Sequence, residues 1–232
     1  MRSSLSAAAL CVALATVCNV EAGDGLCAYM QRDYATALAE WQPLASKGDA
    51  EAQYYLGILH ANGEGVPRSL EKAAEWFRMS AQQGHVLAQY RLGIAYHTGH
   101  GVPLDYSSAA SWLRLAARQG HARAQYRIGA MYAIGRGVRR DRVEALRWWY
   151  ASAEQGESTA RFALGRAYEQ GQGVLRNQVQ ALMWYRLAAA RGSRTAEKKV
   201  IEISKGLTAG QVAQAERLAR EWRAPSRRPP GG

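Results

Sequence analysis

Apolar side chains recur along this chain at steps of three and four residues, the spacing that gathers them on one face of a helix. Between 122 and 133, Ala124, Ile128, Met131 and Tyr132 share one stripe, while Arg123 and Arg127 fall off it. Further on, Ala145, Trp148, Trp149, Ser152 and Ala153 make a second stripe. The segment between them, Gly135-Arg136-Gly137-Val138, lacks that period, and glycine readily takes the positive φ that a helix end requires. The pattern predicts a helix of about 12 residues, a glycine loop and a helix of about 16 residues. Alternating Val, Ile and Thr are scarce, which argues against a sandwich or barrel.

The same pair returns at a period of 36 residues, over 49–84, 85–120, 121–156 and 157–192, without a gap. Gly57, Gly93, Gly129 and Gly165 coincide, as do Trp76, Trp112, Trp148 and Trp184, and then Gly84, Gly120, Gly156 and Gly192. The second helix opens in every block at a residue able to accept a bond from a free amide: Ser69, Asp105, Asp141 and Asn177. Asp141 with Glu144, and Asn177 with Gln180, have the spacing of a capping box. The recurrent small residues allow two helices to approach closely, and each Trp is expected to fill the space between pairs. Burying one Trp removes roughly 200 Å² from water, worth at most about 5 kcal/mol before entropy.

The two ends of the array differ from its middle, as terminal repeats with one neighbour should. Residues 23–48 read as a degenerate, shortened pair in which Ala37, Ala45 and Gly48 keep the register. Residues 193–223 read as two closing helices, with a capping box at Thr208 and Gln211. The last stretch, 224–232, is expected to be disordered. At the start, Arg2, the apolar run from Leu5 to Val17, and Val20 and Ala22 at the −3 and −1 positions read as a signal peptide over 1–22. Its removal would take Cys11 and Cys18 and leave Cys27 without an internal disulfide partner. No apolar run reaches the ~18 residues of a membrane-spanning helix.

LGILHANGEGVPRSLEKAAEWFRMSAQQGH and LGIAYHTGHGVPLDYSSAASWLRLAARQGH resemble Sel-one-like repeats, relatives of tetratricopeptide repeats. Repeat length, glycine loop, second-helix Trp and final Gly all agree, four times over. The resemblance implies an all-α fold: a right-handed α-solenoid of about five helix-turn-helix repeats with C-terminal closing helices. It also implies a non-catalytic adaptor or scaffold, in bacteria often in the cell envelope. The paired cysteines of one subset of related repeat proteins are missing, so the enzymatic activities proposed for that subset find no support here.

The chain carries 30 Lys+Arg against 19 Asp+Glu, a formal charge of +11. Ten arginines fall between His85 and Trp148, and Arg136, Arg139, Arg140 and Arg142 surround one loop. Such a basic patch suits an anionic envelope polymer or an acidic protein surface. Nucleic acid is not expected of an exported chain without a recognised nucleic-acid module. In tetratricopeptide-like arrays the first helices line a concave groove, and the positions that vary between repeats would decorate it. On that basis Tyr55, Arg91, Arg123, Arg127 and Arg166 are the candidate partner-binding residues, guanidinium and aromatic groups being favoured anchors. His97 and His100 have a spacing that could hold a metal, but without further ligands they read as solvated or packing histidines. No catalytic residue, metal site or cofactor is expected. The expectation is a periplasmic protein, with secretion as the alternative, that binds a protein or peptide in its groove. Binding of an anionic polymer by the basic loop is the competing reading.

Overall fold

The computed structural model describes residues 24–222; the expected leader over 1–22 and the tail over 224–232 lie outside them. The described residues form twelve α-helices and no strand. Two helices precede the repeats, α1 (Asp24–Met30) and α2 (Tyr34–Ser46). The repeats follow as pairs: α3 (Ala50–Asn62) with α4 (Leu70–Gln82), and α5 (Val86–Thr98) with α6 (Tyr106–Arg118). The third pair is α7 (Ala122–Ile134) with α8 (Arg142–Glu154), and the fourth is α9 (Ser158–Gln170) with α10 (Gln178–Ala189). Closing helices α11 (Arg194–Ser204) and α12 (Ala209–Glu221) end the array. The fold class is a tandem helical-repeat solenoid. The second helices run 12–13 residues, shorter than the sequence pattern suggests, because each ends two or three residues before its closing glycine.

By contact density the described chain divides into two units, 24–88 with 99–103 and 89–98 with 104–222. The first has a core of Ala37, Trp41, Ala45, Leu56 and Leu59. The second is built on Leu146, Trp149, Leu164, Leu182, Trp184 and Tyr185.

The helix starts are as the sequence predicts. Ser69, Asp105, Asp141 and Asn177 all accept a bond from an amide in the first turn of the following helix. The reciprocal capping box forms at Thr208 and Gln211. At Asp141 the Glu144 carboxylate turns instead to Arg147, 3.2 Å away.

Within a pair, the recurrent Trp is not the residue set against the first-helix glycine. Trp76, Trp112 and Trp148 are only half-buried, and Trp184 alone of the four is buried. The residue after each of them meets the first-helix glycine: Phe77 on Gly57, Leu113 on Gly93, Trp149 on Gly129 and Tyr185 on Gly165. A Cβ on any of these glycines would stand 2.5–2.8 Å from that side chain, inside van der Waals contact. The four partners differ in shape, so self-comparison passes over them while the glycines opposite recur.

The glycine loops make a second kind of joint. The first glycine of each loop closes its helix in the left-handed region; Gly135, at φ 75°, donates its amide to the Met131 carbonyl. The second lies against the opening residue of the preceding repeat's second helix. A Cβ on Gly65 would stand 2.9 Å from Cβ of Tyr34, and one on Gly173 would stand 2.8 Å from the carbonyl carbon of Arg142. A Cβ on Gly101 or Gly137 would come closer still, onto the backbone carbonyl oxygen of Leu70 or Tyr106.

Candidate interaction surface

Tyr55 is half-buried in an aromatic cluster. Its ring stacks on Trp41 at 4.5 Å and 9°, within a cluster that includes Tyr29 and Tyr54. Burial, with the nearby Glu51 charge, raises its hydroxyl pKa. It packs, partly buried, against the core of the first unit.

The four arginines of the candidate set all lie in the second unit and are exposed. Arg123 approaches Glu157 at 3.9 Å with its own side chain 75% exposed, a loose contact of little energetic weight. Arg91, Arg127 and Arg166 make no ion pair among the described residues. Arg91 and Arg127 occupy one position in successive repeats, on α5 and α7.

The loop arginines are exposed as well, and none of the four pairs with a carboxylate among the described residues. Arg136 lies over the Tyr106 ring, 4.9 Å from its centroid. Arg142 opens α8 and supplies the backbone against which Gly173 packs. Arg139 and Arg140 stand between them with their charge toward solvent. His97 joins this loop to the first-helix set. Its ring meets Tyr106 edge-on at 5.5 Å, and its pKa is lowered by burial and then by the charges of Arg127 and Arg136. Two groups of cations that are separate in sequence are therefore felt at one histidine.

His85 and His121 cap first helices. Each Nδ1 accepts an amide, from Ala88 at 3.2 Å and from Ala124 at 3.1 Å. The rings lie on Tyr54 at 4.8 Å and Tyr90 at 4.5 Å. Burial, first among the causes, lowers both pKa values, as a capping role needs, since only neutral imidazole has an acceptor nitrogen. Asp49 does the same work at the start of α3, accepting from Ala52 at 2.7 Å. No three His, Cys, Asp or Glu side chains gather at metal-binding distance among the described residues. None of the described helices is long and apolar enough to cross a membrane.

A polar ladder that the apolar pattern does not reveal also recurs, each rung joining a buried glutamine to an exposed one. Gln83 donates to Gln53, Gln119 to Gln89 and Gln155 to Gln125, each at 2.8 Å. Gln53 and Gln125 pass their own amide N–H to the carbonyls of Ala45 and Ala117. The signal was present, because both glutamines recur at the 36-residue period. A buried polar residue simply does not stand out in a search for apolar stripes.

The Sel1 repeat profile matches residues 50–85, 86–121, 122–157 and 158–193. The chain belongs to the Sel1 repeat family. Among solved structures, a Sel1 repeat protein from Oxalobacter formigenes is 28% identical with a TM-score of 0.76, over 88% of this chain and 86% of that one. The protective antigen c5321 of uropathogenic Escherichia coli strains, which has the same repeat fold, is 36% identical with a TM-score of 0.72. That alignment covers 79% of this Sel1 chain but 40% of the E. coli protein, so the chain spans two-fifths of that relative's length. No curated protein sequence matches it. Sel1 repeat proteins generally mediate protein–protein interaction.

Proposed function

We propose that this chain is a non-catalytic adaptor of the bacterial cell envelope, exported to the periplasm, which holds a protein or peptide partner on the first-helix face of its repeats. The observation that carries the reading is the pair Arg91 and Arg127. They are exposed, one period apart in one unit, and without a carboxylate among the described residues. A partner offering acidic side chains at that spacing gains charge-assisted hydrogen bonds without first breaking an existing ion pair. Export is supported by the pattern of residues 1–22, with its basic start, apolar stretch and small residues at the cleavage positions.

The test is a crosslinking capture from envelope extract with chain 23–232, run beside Arg91→Glu/Arg127→Glu. The reading expects one protein to be retained by the wild type and lost by the folded double variant. Capture of the same set by both forms sinks it. A second reading rests on Arg139 and Arg140, whose charge faces solvent unpaired: the loop would hold an anionic envelope polymer. It expects retention on that polymer to fail with Arg139→Glu/Arg140→Glu and to survive the Arg91/Arg127 change.

A further inference from the structure

The ladder of paired amides changes chemistry at its fourth rung. In the first three repeats a glutamine near the start of the first helix offers Oε1, and a glutamine beyond the end of the second helix donates to it. In the fourth, the same two positions are Arg161 and Arg191. Arginine has donors and no acceptor, so donor now faces donor. Arg161 is 7% exposed. Its Nε donates to the Ala153 carbonyl and its Nη1 to the Leu187 carbonyl, both at 3.2 Å, leaving Nη2 without a hydrogen bond among the described residues. That nitrogen and Nη2 of Arg191 reach one spot beside Gly156. A Cβ placed there would stand 3.9 Å from the first and 3.2 Å from the second. At the equivalent glycines, Gly84 and Gly120, the same spot is open.

Among the described residues no carboxylate pairs with either cation. Glu157, next to Gly156, accepts from the Thr159 hydroxyl at 2.9 Å and only loosely approaches Arg123. The pKa of Arg161 is held down by burial and then by the charge of Arg191, with no acidic neighbour to offset either. The Trp222 ring flanks the Arg161 guanidinium at 5.1 Å and gives the site one apolar wall.

We propose that Arg161 and Arg191 form a carboxylate-binding site, in which a ligand carboxylate supplies the acceptor that Gln53, Gln89 and Gln125 supply in the other rungs. A carboxylate matches the fork of a guanidinium and has the planar geometry of the amide oxygen it replaces. The Trp222 wall suits a carboxylate carried on a carbon body. The ligand is a free small carboxylate or the carboxylate of a peptide; the site does not depend on the Arg91/Arg127 reading.

The test titrates the full chain with sodium acetate, sodium phosphate, a short peptide with a free C-terminal carboxylate, and the same peptide as its amide. Sodium chloride at matched ionic strength is the baseline, and calorimetry and thermal melting are the readouts. Acetate binding assigns a free carboxylate. Binding by the acid peptide alone, but not by its amide, assigns a peptide source. In either case Arg161→Gln/Arg191→Gln, which rebuilds the rung as in the other repeats, should fold and lose the response. Arg191→Gln alone keeps both carbonyl bonds of Arg161 and should bind at least about tenfold more weakly. Equal binding by the variants, a response to phosphate alone, or no response beyond chloride overturns the proposal.

Discussion

Gly129 on α7 and Trp149 on α8 are packed so closely that a Cβ at 129 would stand 2.7 Å from both Cδ1 and Nε1 of the indole. The indole is held in place by its own N–H, which donates to the Tyr126 carbonyl at 3.2 Å. Gly129→Leu must therefore displace Trp149 or part the two helices, and should cost about 1–3 kcal/mol or more. A melting temperature equal to that of the wild type would remove the close-packing account.

The neighbouring tryptophans separate two roles. Trp149 is 8% exposed and lies in the core, whereas Trp148 is half-buried. Trp149→Ala should cost about 3–5 kcal/mol, and Trp148→Ala distinctly less. Urea unfolding of the two variants decides it; equal losses contradict the assignment of the buried position.

Gly120 and Gly137 both sit at positive φ, 88° and 69°, so alanine strains the backbone at each. Only Gly137 also lies against the Tyr106 carbonyl, while Gly120 faces open space. Gly137→Ala should thus be the more destabilising of the two in urea. The reverse order would show that the loop joint contributes nothing.

Gln125 is 7% exposed and serves both the Ala117 carbonyl and the Gln155 amide. Gln125→Leu leaves a buried carbonyl without its donor and should cost about 1–3 kcal/mol, although leucine is the more apolar residue. A stabilised variant would mean that the ladder is dispensable.

His85 and His121 have lowered pKa values in the folded chain, mainly through burial. The unfolded chain therefore binds more protons just below pH 6.5, and stability falls as the pH drops through that value toward the folded pKa. His85→Asn/His121→Asn keeps a capping acceptor and removes the titration. Its denaturation midpoint should change less than that of the wild type between pH 7 and pH 5. Parallel curves would place the pH dependence elsewhere.

Much of the array was legible in the sequence because its determinants are local. The caps at Ser69, Asp105, Asp141 and Asn177 act within one turn, and the glycine loops announce helix ends by residue type alone. What escaped depends on pairs distant in the chain. Phe77, Leu113, Trp149 and Tyr185 share a position but no residue type, so a search for recurring residues does not reveal them. The ring contacts of Tyr55 with Trp41 and Tyr29 do not show in the repeat pattern, because both partners lie outside the regular repeats. Arg127 and Arg136 were assigned to different surfaces, since only the folded chain brings both charges to bear on His97.

The loop joint has a consequence for how such a chain can change length. Tyr106 and Gly137, like Arg142 and Gly173, are separated by less than one 36-residue period. An in-frame duplication of one period within the repeats therefore carries both halves of a joint, or recreates them at the seam. Ancestral genes could lengthen or shorten by whole modules without any new interface having to evolve. The last module is the exception: copying it inward would place facing arginines, and their unmet need for an acceptor, in the middle of the array.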